Sequence, residues 1–347
     1  MTTAAGLKQG LKSALYRLGV FGLLHRWRNR RVLTVLMFHR VLPAESLAYQ
    51  LAEREFTFST TGFDRCLEFV GRHYSVVSLR DVKAAGNGGA KLPRNPVLIT
   101  FDDGWRDTAL HAEPLLRKHN MTAVLFLSTE VLELEGGRWW QDALVEVMAD
   151  ETSQQRLQAA IRNSSAPVAP DEPVEAGRAL TAYVASLPEG ERRQLLDFAL
   201  PGALDAIRER QMLTLDDLPH LEGGAIELGG HGHTHAPLTQ AKDAHAELRT
   251  SREKLGALWT GPMSMSFPHG AMNEALVSQA HKAGFELVFT SEPTVSEVGN
   301  AVHSTLGRIH VPENRWTCRN GQIDPAQLAT FLFFRPRAAV ATSKALE

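Results

Sequence analysis

Seven short runs of apolar and β-branched residues recur along the 347-residue chain, and each ends in a turn or a polar cluster. Between most of them lie stretches whose apolar residues recur at helical spacing. Strands that alternate with helices pack in parallel, so the pattern predicts an α/β protein built on an open sheet or a closed barrel. The seven predicted strands are Thr34–His39, Val97–Asp103, Thr122–Ser128, Ala225–His231, Ser264–Gly270, Leu287–Ser291 and Thr305–Val311.

Helical sequence interrupts this alternation once. From about Trp139 to His220 the chain lacks a strand signal and is rich in Ala, Leu, Glu and Arg, with a Ser-, Pro- and Asp-rich loop over Asn163–Pro173. We interpret this stretch as a helical insertion into the α/β unit. The predicted organisation is a basic amphipathic arm over 1–30, a main unit over 31–315 with the insertion over 139–220, and a C-terminal helix and tail over 316–347.

The basic residues of the chain are unevenly placed. Residues 1–31 carry seven Lys and Arg and no acid, whereas the rest has 30 basic against 39 acidic residues, a net −9 within a total of −2. An acidic body is a poor nucleic-acid surface, so we predict no nucleic-acid partner. Within the arm, Leu11–Arg28 alternates apolar and basic residues in a loosely helical pattern, which fits either a solvated helix packed beside the domain or a peripheral contact with an anionic membrane.

The expected location of the protein follows from the apolar runs. The apolar run Leu18–Leu24 is too short to span a bilayer and makes a poor secretory signal, and later segments are not apolar enough to span one. We therefore predict a cytoplasmic protein, peripheral at the inner membrane if the arm touches lipid.

Two adjacent carboxylates follow the second predicted strand, in the sequence Val97-Leu-Ile-Thr-Phe-Asp-Asp-Gly104. In α/β folds the active site lies beyond the carboxyl ends of the strands, which is where Asp102 and Asp103 emerge. Adjacent carboxylates repel each other, so a site that holds both usually adds a cation or keeps one of them protonated. The alternative is a turn that ends the strand and has no chemical role.

Three of the 14 histidines fall within five residues at the end of the fourth predicted strand: His231, His233 and His235. Neutral imidazole is a common metal ligand. In an extended strand all three would share a face, whereas in a helical turn only His231 and His235 would. The neighbouring glycines and Pro237 favour a turn, so this pair is the predicted one. Two histidines and one carboxylate, with a position left open for water, make a catalytic metal site.

These motifs resemble those of the polysaccharide deacetylases, the nodulation-protein-B-like group known as carbohydrate esterase family four. The resemblance rests on Thr100–Gly104 and on His231–Leu238, which has the pattern His-x-x-x-His-x-Pro-Leu. Leu36–Val41 and Ser266–Gly270 are similar to the family's opening strand and third motif. The similarity covers roughly residues 31–315 and implies a distorted (β/α)7 TIM-like barrel, with the helical insertion as an embellishment and a basic N-terminal helix before it.

The resemblance also implies a role for each matching position. Asp103, His231 and His235 are expected to hold a divalent metal ion, with zinc as the first choice. Asp102 is expected to act as the general base. The backbone N–H of His269, in the third motif, is expected to help hold the oxyanion.

Two positions depart from the family's pattern. The resemblance implies a general-acid histidine on the last strand, where His310 is the candidate but lacks the family's flanking residues. His39, at the end of the first strand, is the competing candidate. The third motif has Ser266 where the family carries an arginine that orients the catalytic aspartate. Arg308 shares a strand face with His310 by the period-two rule and is expected to replace that arginine.

The function implied by the resemblance is metal-dependent removal of N-acetyl groups, a hydrolysis of non-peptide carbon–nitrogen bonds. The expected substrate is an N-acetylated glycan or lipid-linked sugar of bacterial exopolysaccharide, capsule or lipopolysaccharide biosynthesis. O-acetyl ester hydrolysis or hydrolysis of a non-sugar amide on the same fold is the first alternative. The second is a non-catalytic glycan-binding protein, which would have no reason to keep Asp102, Asp103, His231 and His235 together.

Overall fold

The computed structural model describes residues 3–86, 91–132, 139–162, 179–181, 183–184, 187–202, 210–221, 224–297, 305–316 and 324–337. The predicted loop over 163–173 and the final part of the predicted tail, 338–347, lie outside the described residues. The predicted domain boundaries stay predictions.

The seven predicted strands form one nearly closed barrel. We label its strands β1 to β7: Val32–Phe38, Pro96–Phe101, Ala123–Leu127, Ile226–Gly230, Ser264–Ser266, Leu287–Phe289, and a seventh in two segments, Thr305–Leu306 and Ile309–His310. Neighbours in the sequence are parallel neighbours in the sheet. The first segment of β7 pairs with β6 and the second with β1, which brings the two edges of the sheet together. The distorted (β/α)7 barrel is therefore confirmed.

Four shorter strands accompany the barrel in the described residues. Arg40–Leu42 and Thr57–Ser59 pair with each other. Ser75–Val76 runs beside β2, and Ser296–Glu297 lies antiparallel to β1.

The described α-helices with complete bounds are labelled α1 to α12, and residues 179–181 and 183–184 are also helical. In chain order α1 to α12 are Thr3–Arg17, Val20–Arg28, Leu47–Leu51, Thr60–His73, Leu79–Gly86, Glu113–Lys118, Trp140–Ala149, Glu151–Arg162, Glu189–Ala199, Ala244–Leu258, Glu274–Lys282 and Pro325–Phe333. A π-helical turn, Thr108–Ala112, leads into α6. Side chains of Ser59, Asp243 and Asn273 accept hydrogen bonds from first-turn N–H groups and so fix where α4, α10 and α11 begin.

Alternate residues of the strands separate into two hydrophobic clusters, as the period of two requires. One cluster collects Leu33, Leu98, Phe126 and Phe289 from four strands, which places it in the barrel interior. The other packs the outward residues of the strands under the surrounding helices. The guanidinium carbon of Arg308 lies 5.3 Å from the Phe126 ring centroid, so this cation sits directly on the interior cluster.

The insertion and the N-terminal helices pack differently. Helices α7, α8 and α9 share a hydrophobic cluster of their own. The first two helices pack against α12 and α4 instead, where the His25 ring stacks on Phe333 at 4.0 Å and the Tyr16 hydroxyl lies 2.9 Å from His73 Nε2. None of the described helices combines the length and apolar content needed to cross a membrane.

Candidate active site

The site lies where β2 and β4 end. Asp102 and Asp103 follow Phe101 directly, and His231 follows Gly230. Five non-glycine residues in the described chain have a left-handed φ, and three of them are here: Asp103 (79°), His235 (64°) and His269 (56°). Such backbone costs energy for residues with a Cβ and concentrates at functional sites. The turns that these angles create aim the three side chains at one point.

Asp103, His231 and His235 converge at this point. His231 Nε2 lies 3.4 Å and His235 Nε2 3.1 Å from Asp103 Oδ1. All three potential ligand atoms lie within 4.8 Å of one another. His233 points elsewhere, with its Nδ1 3.1 Å from the Thr129 hydroxyl. The structure thus brings together the predicted pair of histidines and the predicted carboxylate.

The donor set fits a divalent metal such as zinc. Two ligands on a tetrahedral zinc ion, at bond lengths of about 2.0–2.2 Å, are separated by about 3.3 Å, close to the spacings found here. His231 Nδ1 lies 2.6 Å from Ser266 Oγ and 3.0 Å from the Ser266 carbonyl oxygen. The carbonyl can only accept and the hydroxyl donates to Asp102, so both contacts fit a proton on His231 Nδ1. Its Nε2 lone pair is therefore free to bind metal, the tautomer that such sites require.

Arg308 holds Asp102 beside this cluster. Its Nη1 donates to Asp102 Oδ1 at 2.6 Å and its Nη2 donates to Oδ2 at 2.8 Å. Arg308 is 1% exposed and Asp102 2%, so this bidentate pair is shielded from water. Burial acts to raise the pKa of Asp102, but Arg308 and then His231 reverse that effect and hold the pKa below its usual value. The predicted pairing of Arg308 with Asp102 is present, and Ser266 adds a 3.3 Å hydrogen bond from Oγ to Oδ1.

The two candidate acids occupy different positions. His39 lines the cavity at the site, with Nε2 4.0 Å from Asp102 Oδ2, and its Nδ1 is buried without a hydrogen-bond partner in the described structure. His310 stacks on Phe56 at 5.1 Å, with Nδ1 3.6 Å from Glu55 Oε1. Burial lowers the pKa of both imidazoles, and burial followed by His39 lowers that of His310 to about 4, so the pKa does not separate the two candidates. The geometry favours His39 as the imidazole that faces a bound substrate.

His269 borders the cavity at its exposed side. Its ring lies 4.5 Å from the His235 ring, and the left-handed φ turns the third motif across the mouth of the cavity. Burial, and then His235, lowers the pKa of the His269 imidazole. Its predicted backbone role stays a prediction.

A cavity of about 380 Å³ opens over these residues, a size that suits a small organic ligand. One wall is the barrel end, a second comes from residues 48–57 after β1, and a third comes from the insertion. Trp139 lies on that wall, with its ring 4.6 Å from His235. The neighbouring Trp140 packs into the insertion instead, under the guanidinium of Arg192 at 5.0 Å. The insertion therefore helps to form the site.

Sequence reasoning missed Trp105, which is 4% exposed. Its Nε1 donates to Asp103 Oδ2 at 2.8 Å, so the carboxylate is held on the oxygen opposite the histidines. Arg40 lies 4.0 Å above the indole ring and donates to Asp107 at 2.9 Å and to Gln211 at 2.8 Å. This buried network ties Asp103 to the end of the insertion. The one available signal was the position of Trp105 two residues after Asp103.

Comparisons with known proteins agree with the predicted fold and with the resemblance. The family model named polysaccharide deacetylase matches residues 89–154, a stretch that contains Asp102 and Asp103 but neither ligand histidine. Among curated proteins, none matches the chain. Each of three similar solved structures aligns with 87% of this chain. They are deacetylase PplD from Streptococcus pyogenes (16% identity, TM-score 0.56, 98% of that chain), a de-N-acetylase from Aggregatibacter actinomycetemcomitans (17%, 0.54, 100%) and IcaB from Ammonifex degensii (17%, 0.53, 97%).

The resemblance to the polysaccharide deacetylases is therefore confirmed. The family match covers the carboxylate motif, and the solved structures share the barrel. The family match over residues 89–154 agrees with the predicted enzyme class, a hydrolase of the polysaccharide deacetylase type. The assignment of His231 and His235 to the site rests on the geometry described above.

Proposed function

We propose that the protein removes N-acetyl groups from an N-acetylated sugar, with a divalent metal ion held by Asp103, His231 and His235. The observation that carries this proposal is the pair of neighbouring carboxylates in two different settings. Asp103 faces two imidazoles, and the ion pair with Arg308 favours the ionised form of Asp102, which can accept a proton. Asp103 is thus placed to bind a metal ion, and Asp102 is placed to accept a proton.

The chemistry follows from the two settings. When bound, the ion lowers the pKa of a water ligand towards about 7 and polarises the acetyl carbonyl. Asp102 accepts the proton of the attacking water, which adds to the carbonyl carbon. The His269 N–H stabilises the oxyanion that develops on the carbonyl oxygen. The C–N bond then breaks as His39, in its imidazolium form, gives its Nε2 proton to the leaving amine, and acetate is released. Asp102 then gives the proton it took from water back to solvent, and His39 takes one up.

The choice of zinc rests on the chemistry of the ligands, and the choice of amide hydrolysis rests on a structurally similar protein. Two imidazoles and one carboxylate suit zinc, although other first-row ions bind the same donors. One similar structure is a de-N-acetylase by name, which supports amide rather than ester hydrolysis. The proposed setting is the biosynthesis of a bacterial exopolysaccharide, capsule or lipopolysaccharide, on a nascent or lipid-linked glycan at the cytoplasmic face of the inner membrane.

An acetate-release screen tests this function. The purified protein is incubated with short N-acetylglucosamine oligomers and with O-acetylated sugars, with and without a chelator. We expect release from the N-acetylated substrates that the chelator stops and added zinc restores. Release from the O-acetylated sugars alone would replace the proposal with an esterase. Glycan binding without release, or release that the chelator leaves unchanged, would overturn it.

A further inference from the structure

The first two helices carry an apolar surface that the described part of the chain leaves uncovered. Twelve large hydrophobic side chains are exposed in the described residues, and seven of them lie in this short stretch. We call these seven the N-terminal patch: Leu7, Leu11, Leu18, Val20, Leu23, Leu24 and Trp27. Scattered exposed apolar residues are ordinary, but a concentrated patch marks an interaction site.

Helix α2 has two apolar faces. Its inward face packs on the C-terminal part of the chain, where Phe21 meets Phe334 at 6.0 Å and His25 meets Phe333 at 4.0 Å. Its outward face carries four patch residues at spacing i, i+3, i+4 and i+7, and Trp27 among them is 73% exposed. One apolar face is enough to hold a helix on a barrel. The second face therefore has another use.

Helix α1 repeats this arrangement. Leu7 and Leu11 lie on its outward side, and the exposed Leu18 follows in the turn before α2. On the opposite side, Gln9 donates to Asp324 and the Tyr16 hydroxyl lies 2.9 Å from His73 Nε2. These contacts fix the helix on the barrel with its leucines towards solvent.

The charge around the patch identifies the partner. Residues 1–31 carry seven basic side chains and no acidic one. Lys8, Arg17, Arg26, Arg30 and Arg31 are exposed. Apolar residues and an exposed tryptophan between Lys and Arg are the features of helices that lie in the headgroup region of anionic membranes. A second copy of the chain is a poor partner, because a two-fold contact would set two equally basic surfaces against each other.

We propose that the N-terminal patch docks the protein on an anionic lipid surface. Helix α2 leads into the amino end of β1, whereas the cavity lies at the carboxyl ends of the barrel strands. Docking therefore uses a surface that is separate from the cavity. The inference does not depend on the proposed reaction, and the two can fail independently.

Sedimentation with vesicles tests the docking. The full-length protein is mixed with vesicles of phosphatidylcholine alone or of phosphatidylcholine with phosphatidylglycerol. We expect binding to the anionic vesicles that weakens as salt screens the charges. Leu23→Ser with Trp27→Ser should lower binding by about tenfold or more, since both residues are exposed and their apolar area is lost. Arg26→Gln with Arg30→Gln should lower it by about fivefold for each charge removed.

A matched control removes exposed apolar residues elsewhere. Phe198→Ser with Leu215→Ser changes two side chains that are similarly exposed but lie outside the patch, and should leave binding unchanged. All three double variants should release acetate from soluble N-acetylglucosamine oligomers at the unmodified rate. Absence of vesicle binding, equal binding by all variants, or a dimer that the Leu23 and Trp27 changes dissociate would overturn the docking proposal. If the unmodified protein releases no acetate, that result counts against the proposed function and leaves the docking proposal standing.

Discussion

Trp105 offers a sharp test of how the metal ligands are held. Trp105→Phe keeps an aromatic ring under Arg40 but removes the hydrogen bond from Nε1 to Asp103 Oδ2, which is 2.8 Å long and buried. A hydrogen bond to a charged group contributes about 1.5–3 kcal/mol. Loss of a partner that orients a metal ligand typically lowers metal affinity by about 10–100-fold. We expect a loss of zinc affinity in that range.

The assay is competition for zinc against a chromophoric chelator, which reads affinity without depending on catalysis. Trp316→Phe is the matched control, because Trp316 is also buried but its Nε1 has no hydrogen-bond partner in the described structure. It should bind zinc as the unmodified protein does. Unchanged zinc affinity in Trp105→Phe, or an equal loss in Trp316→Phe, would refute the assigned role.

Four further substitutions test other parts of the site and its support. Arg308→Lys replaces a bidentate contact with at most one hydrogen bond, so kcat/KM should fall by about 10–100-fold. The acid limb of its pH profile should move to higher pH, because the pKa of Asp102 rises; an unmoved limb would contradict the pairing. His39→Gln should lower kcat by about 10²–10⁴-fold, as expected for a lost general acid, and His310→Gln by less than about tenfold; the reverse order would exchange their roles. Burial raises the pKa of Asp142 to about 7 in the folded protein, against about 4 in the unfolded chain. The protonated Asp142 side chain therefore contributes fully to the free energy of unfolding below about pH 4, and this contribution is lost as the pH rises to about 7. Asp142→Asn keeps the oxygen that accepts from Gln211 N, and urea unfolding should show a gain of up to about 4 kcal/mol above pH 7 and a smaller gain near pH 5; an equal gain at both pH values would contradict this.

The sequence predicts the barrel and the metal ligands for physical reasons. A buried parallel strand appears in the sequence as a short apolar run, and the active site lies at the carboxyl ends of such strands. Asp102 and Asp103 are adjacent, and His231 and His235 are four residues apart, so each motif is visible within a few residues. The pairing of Arg308 with Asp102 was expected from the resemblance, in which an arginine orients the catalytic aspartate, and Arg308 itself lies between the two segments of β7.

The remaining parts depend on contacts between distant residues. Arg40 and Gln211 lie 171 positions apart and meet because the insertion returns to the barrel. The hydrogen bond from Trp105 to Asp103 depends on a backbone turn with positive φ at Asp103 and Gly104, which residue types alone do not reveal. The choice between His39 and His310 depends on side-chain direction at the barrel rim, which strand spacing leaves open.

Zinc content and acetate release, measured together on Asp102→Asn, test the central claim most directly. Asp102 sits beside the proposed ligands, but in the proposal it moves a proton and binds no metal. We expect the variant to bind one equivalent of zinc, as the unmodified protein does, and to release acetate from N-acetylglucosamine oligomers about 10²–10⁴-fold more slowly. A variant that holds stoichiometric zinc and keeps the unmodified rate would contradict the assignment of Asp102 as the base.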